Sequence, residues 1–148
     1  LLGCSMALGA LVASAPPDIL DKLTKVGKNL GVAIAIREDI RQLWFVSEYP
    51  EKYSADVLNK KKLLPIILAT SNSSTSIKRQ LGDIYFKRVL EKTDVEKILD
   101  ILGNTDARRD SEDIFSCYRS QISNELELLF GKSSTCTLLT KYVDSLLD

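Results

Sequence analysis

Histidine is absent from this 148-residue sequence, which removes imidazole-based acid–base catalysis and the commonest zinc ligand. Cysteine is scarce: Cys4, Cys117 and Cys136 are odd in number and far apart. That argues for reduced thiols and a cytoplasmic setting, and against a disulfide framework or a metal cluster. Charge of one sign is also missing, since 20 basic side chains balance 20 acidic ones. No global field therefore points to nucleic acid or to an anionic membrane. The opening apolar run, Leu1 to Ser14, falls short of the ~20 residues that span a bilayer, so no transmembrane segment is expected. It resembles a secretory or lipoprotein signal but lacks the basic residues that such a signal begins with. The better reading is a buried helix, apolar all round, in which Gly3, Ala7 and Ala10 admit close neighbours. The sequence opens inside that pattern and not at Met. It is expected to be a portion of a longer chain, with residues 1–148 forming part of a single helical domain.

What is present is helical periodicity. Hydrophobic residues make up 45% and charged residues 27% of the chain, as in an ordinary globular protein. Ile19, Leu23, Val26, Leu30, Ala33 and Ile40 recur at helical spacing. Pro17 and Asp18 suit the start of that helix, which continues to Trp44. Phe45 to Asn59 loses the apolar period and reads as a loop. Further helices are expected over Leu63–Thr70, Ile77–Leu90, Thr93–Leu102, Thr105–Phe130 and Ser134–Leu147, with a polar break at Ser71–Ser76. Thr93 and Glu96 offer a capping box, and Gly103 and Gly131 offer stops. On the long penultimate helix, Cys117 is expected in the buried stripe and Cys136 in an exposed polar segment. No segment has strand period, so the fold class is all-α, with about seven helices.

Chemistry concentrates between Pro16 and Pro65. Gly31, Ala35, Glu38 and Gln42 lie along one side of the second helix, two small residues leading to an acid and an amide. Glu38 and Asp39 stand near the C-terminal end of that helix, where the dipole favours cations, so a bound cation would relieve the mismatch. Beyond the loop come Lys60, Lys61 and Lys62. Taken alone, these residues fit either two solvated helix ends, where exposed ion pairs contribute little, or a site that holds metal and phosphate between carboxylates and lysines. Arg108, Arg109 and Asp110 read as a solvated helix face. Trp44, Phe45, Tyr49 and Tyr53 read as packing.

The segment GVAIAIREDIRQLW, followed by a loop and then lysine, resembles the second aspartate-rich motif of the all-trans polyprenyl diphosphate synthases. That family pattern is G-x-A-F-Q-I-x-D-D-I-x-D, followed by loop lysines before an apolar helix. Without gaps, the first two acids fall on Glu38 and Asp39, the loop lysines on Lys52 and Lys61, and a loop acid on Asp56. Gln42 stands at the third acid, Ile34-Ala35 at Phe-Gln, and Glu51 at the glycine before the first lysine. The opening LLGCSMALGALVASAP resembles the helix that follows the family's Lys-Thr pair; that pair and the first aspartate-rich motif are not in this sequence. The resemblance implies the C-terminal portion of an isoprenoid synthase-type helical bundle, and condensation of isopentenyl diphosphate with an allylic diphosphate. Magnesium would sit on Glu38 and Asp39, with Gln42 offering a neutral oxygen, and the diphosphate on Lys52 and Lys61. It also implies a homodimer. The substitutions at Ala35 and Gln42 leave open a catalytically silent subunit that forms a heterodimer with an active synthase.

Overall fold

The computed structural model describes residues 1–45 and 55–148. It contains α1 (Leu2–Val12), α2 (Pro17–Trp44), α3 (Leu64–Asn72), α4 (Thr75–Tyr85), α5 (Lys92–Gly103), α6 (Ala107–Phe130) and α7 (Ser134–Leu147). Residues 55–58 add one further helical turn. Among the described residues there is no strand, so the fold is all-α as expected. Two compact units are present, one of residues 1–35 with 115–148 and the other of residues 36–114.

In the first unit the core is an apolar stripe of α2 (Val26, Leu30 and Ala33) with Ile122 and Leu126 of α6 and Cys136, Val143 and Leu147 of α7. Each fully buried Leu- or Ile-sized side chain contributes about 1.5–3 kcal/mol. α1 meets α2 almost backbone to backbone: a Cβ built on Gly27 would lie 2.5 Å from the Leu2 carbonyl oxygen. Only Gly3 and Ala10 of α1 are buried, while Leu8, Leu11 and Val12 are exposed. The expected all-round burial is thus corrected, because α1 packs through its small-residue side alone.

The cysteines exchange the places expected of them: Cys117 is exposed and Cys136 is buried. On α6 the buried positions of the first unit are Ile122 and Leu126, with Phe115 and Tyr118 packed against the same core. That stripe passes beside Cys117. Cys136 sits in the first turn of α7, where its backbone N–H is capped by Ser133 Oγ at 3.1 Å and its Sγ lies 3.6 Å from the Leu126 carbonyl oxygen.

The second unit is built on Leu43 of α2 with Val57, Leu63, Ile66, Leu81, Ile98 and Leu102. The predicted polar break at 71–76 is shorter than expected. α3 runs on to Asn72 and Ser74 caps α4, accepting from the Ile77 N–H at 3.5 Å. α4 stops at Tyr85, ahead of the expected Leu90. α5 starts at Lys92 under a capping box made by Glu91 and Asp94 instead of Thr93 and Glu96, and Lys87 Nζ binds Asp94 Oδ1 at 2.6 Å. Trp44 packs against this core with the Arg108 guanidinium 5.5 Å over its ring, a cation–π contact. Gly131 ends α6 in the left-handed region, φ 58°. Among the described residues no helix is long and apolar enough to cross a membrane.

Candidate functional site

The carboxylates near the end of α2 and the lysine before α3 come together in the second unit. α3 opens with Leu63, Leu64 and Pro65, a start with no Ser, Thr, Asp or Asn to cap it. The exposed N–H of its first turn is met from elsewhere: Leu64 N–H donates to Asp39 Oδ2 at 2.9 Å. Asp39 is therefore both a candidate ligand and the cap of the following helix. Burial pushes its carboxyl above the ordinary carboxylate range; the Leu64 N–H and the Lys61 charge pull the other way, and Asp56 and Glu38 add to the rise.

Lys61 reaches the same place through a left-handed turn. Lys60 has φ 57°, and the helical turn closes with Lys60 N–H to Val57 O and Lys61 N–H to Asp56 O, both 2.9 Å. Helices commonly end on a residue in the αL position, usually glycine; here Lys60 takes it. The turn places Lys61 Nζ 2.8 Å from Asp56 Oδ2. That bond, with smaller contributions from Asp39 and Glu38, raises the Lys61 pKa and holds it cationic. Lys60 Nζ donates to the Lys87 carbonyl oxygen. The structure thus gathers Glu38, Asp39, Asp56 and Lys61 into one electrostatic neighbourhood, three carboxylates with one ammonium.

Gln42, at the third acid position, is 6% exposed and its Oε1 is buried with no partner among the described residues. The face predicted to run along α2 is uneven: Ala35 is exposed, Glu38 half-buried and Gln42 buried. Among the described residues no three Asp, Glu or Cys side chains converge as a metal cage. A cation here would take at most two protein carboxylates, which fits magnesium that keeps water and phosphate ligands. Lys52, Glu51, Tyr49 and Tyr53 lie outside the described residues. Asp39 as a helix cap went unread in the sequence, although the uncapped apolar start at Leu63–Pro65 was a signal for an outside acceptor.

A family model described as polyprenyl synthetase matches residues 1–102. The chain belongs to the polyprenyl synthetase family. It is 30% identical over 105 residues to the geranylgeranyl diphosphate synthase of Saccharolobus solfataricus, covering 69% of this chain and 31% of the relative. Over 81 residues it is 30% identical to the (2E,6E)-farnesyl diphosphate synthase of Mycobacterium bovis, covering 53% and 22%. The chain thus spans about a third or less of the length of these curated relatives. Two solved structures share its fold. One is a geranylgeranyl pyrophosphate synthase from Corynebacterium glutamicum complexed with calcium and isoprenyl diphosphate, with a TM-score of 0.79 at 22% identity over 95% of this chain and 43% of that one. The other is a polyprenyl synthase from Roseobacter denitrificans, with a TM-score of 0.81 at 19% identity over 99% of this chain and 47% of that one.

Proposed function

We propose that this chain forms the C-terminal, diphosphate-holding portion of a prenyltransferase that condenses isopentenyl diphosphate with an allylic diphosphate. The observation that carries this reading is the meeting of Glu38 and Asp39 with Lys61 at the start of α3, joined by the Asp39–Leu64 hydrogen bond. Magnesium, when bound, neutralises the diphosphate so that it can leave. Glu38 and the Asp39 oxygen not engaged by Leu64 are the protein ligands available to it. Lys61, held cationic by Asp56, supplies a mobile positive charge to the phosphate oxygens, and Lys52 joins it from the loop. The protein works as a homodimer in the cytoplasm.

The test is incorporation of labelled isopentenyl diphosphate by the full-length protein with Asp39→Asn and Lys61→Ala. Asn keeps an oxygen for the Leu64 N–H and removes the charge. Both variants lose at least about tenfold in turnover, the loss expected of a charge-assisted contact; unchanged turnover in both removes these residues from the reaction.

Burial of the neutral Gln42 in place of the third acid favours a second reading, a catalytically silent subunit of a heterodimer. Full-length protein that is inactive alone but raises the turnover of a co-expressed active synthase supports this second reading against the first.

A further inference from the structure

We propose that the cavity between α3 and α4 is a binding site for a single-chain anionic amphiphile, separate from the carboxylate–lysine site. The cavity measures about 320 Å³, within the range of small-molecule sites. Its walls are mostly apolar: Ile66 and Ile67 of α3 with Leu81 and the Tyr85 ring of α4, beside the polar Thr70 and Ser71. Lysines also border it, Lys62 just before α3 and Lys78 in the first turn of α4. Among the described residues the hydrogen-bond partner of Lys78 Nζ is a neutral acceptor, the Ser71 carbonyl oxygen at 3.0 Å, which does not cancel its charge. An apolar slot bordered by two ammonium groups complements a hydrocarbon chain with an anionic head, and neither a sugar nor a cation.

Gly82 is the second observation. It lies inside α4, where glycine weakens a helix, and its backbone has no positive φ that would call for one. Packing does not call for it either, since an added Cβ would meet only Phe86 Cε2, at an ordinary 3.9 Å. Gly82 does line the cavity, and a larger side chain there would project into the space the ligand chain occupies. None of the residues that line the cavity is Glu38, Asp39, Asp56 or Lys61, so the two sites can be separated by mutation.

The test is titration calorimetry of the full-length protein with dodecyl phosphate below its micelle concentration, beside inorganic phosphate, dodecanol and laurate. Dodecyl phosphate is expected to bind at least about tenfold more tightly than inorganic phosphate or dodecanol, because head and chain both contribute. The laurate arm tells a carboxylate-headed ligand from a phosphate-headed one, and tight binding of either amphiphile supports the site. Gly82→Leu and the double variant Lys62→Ala, Lys78→Ala should each weaken binding about tenfold or more, while Lys61→Ala leaves it unchanged. If Gly82→Leu fails to fold, Ile67→Trp at the 45% exposed rim position fills the same space. Equal binding of dodecyl phosphate by wild type and a folded filled variant overturns the proposal. So does binding that is lost in Lys61→Ala and kept in the filled variant, which assigns the ligand to the diphosphate site.

Discussion

Asp39 and Leu64, 25 residues apart, are joined by a 2.9 Å hydrogen bond from the Leu64 N–H to Asp39 Oδ2. One carboxylate therefore closes the first turn of α3 and belongs to the candidate site. The bond also explains why the lysine run is pinned close to the acids: Lys61 stands three residues before Leu64 and is held from its other side by Asp56. Local helix-capping physics and the proposed diphosphate chemistry share the same atoms.

That double duty separates two substitutions at one position. Asp39→Ala removes both the cap and the charge, and it should lower the stability of the chain by about 1 kcal/mol, the usual cost of a lost N-cap acceptor. Asp39→Asn keeps an acceptor and should lose a few tenths of a kcal/mol at most on the same scale. Urea unfolding followed by far-ultraviolet circular dichroism distinguishes them. Equal losses for the two variants would show that the hydrogen bond contributes nothing to α3.

The two perturbed aspartates of the second unit give stability opposite pH dependences. The Asp39 carboxyl is raised in the folded protein by burial. Its contribution is complete below the unfolded value of about 3.9 and is lost as pH rises through the higher folded value. The Asp94 carboxyl is lowered, first by the Lys87 hydrogen bond and then by the Glu91 N–H. Its contribution is present above about 3.9 and is lost as pH falls through the lower folded value. Urea midpoints measured from pH 3 to 7 should lose the decline on the acid side in Asp94→Asn, and the decline above pH 4 in Asp39→Asn. Added magnesium should move the second decline to higher midpoints, since a cation stabilises the ionised carboxylate.

The all-α class was legible because apolar residues recur at helical spacing and no segment has strand period, and α2 and α7 keep the ends that Pro17, Trp44 and Leu147 suggested. The errors share one cause. A single sequence marks a helix face only to within a residue, so a stripe through Tyr118, Ile122 and Leu126 of α6 takes in Cys117 as well, whereas Phe115 makes the contact in its place. Caps were legible only as a neighbourhood where a side chain bonds its own turn, with Ser74 and the Glu91–Asp94 box each standing two residues before the positions expected, and not at all where the acceptor comes from another helix. For the same reason Gln42 could be matched to a motif position while its burial could not, because burial depends on which neighbours the tertiary fold supplies.

Lys60 is held at φ 57° to end the helical turn that precedes α3. A non-glycine residue gives up about 1 kcal/mol in that conformation. Lys60→Gly should recover much of it, offset by loss of the Lys60 Nζ bond to the Lys87 carbonyl oxygen. A net gain of up to about 1 kcal/mol is expected, with Lys61 still paired to Asp56 because the turn geometry is unchanged. A raised urea midpoint with unchanged turnover would fit; a lowered midpoint would mean that the Lys60–Lys87 contact outweighs the backbone strain.

Two glycines should respond to the same substitution with opposite signs. A Cβ on Gly27 would sit 2.5 Å from the Leu2 carbonyl oxygen and 2.8 Å from the Gly3 backbone. Backbone cannot swing aside as a side chain can, so α1 must move off α2, and Gly27→Ala should cost about 1–3 kcal/mol. On Gly82 the nearest atom is the end of the Phe86 ring at 3.9 Å. There the substitution meets no clash and gains helix propensity, so Gly82→Ala should stabilise by about 0.5–1 kcal/mol. Thermal melts of the two variants side by side decide the matter. A destabilised Gly82→Ala would mean that the gap beside α4 is already closed in solution, and with it the site proposed between α3 and α4.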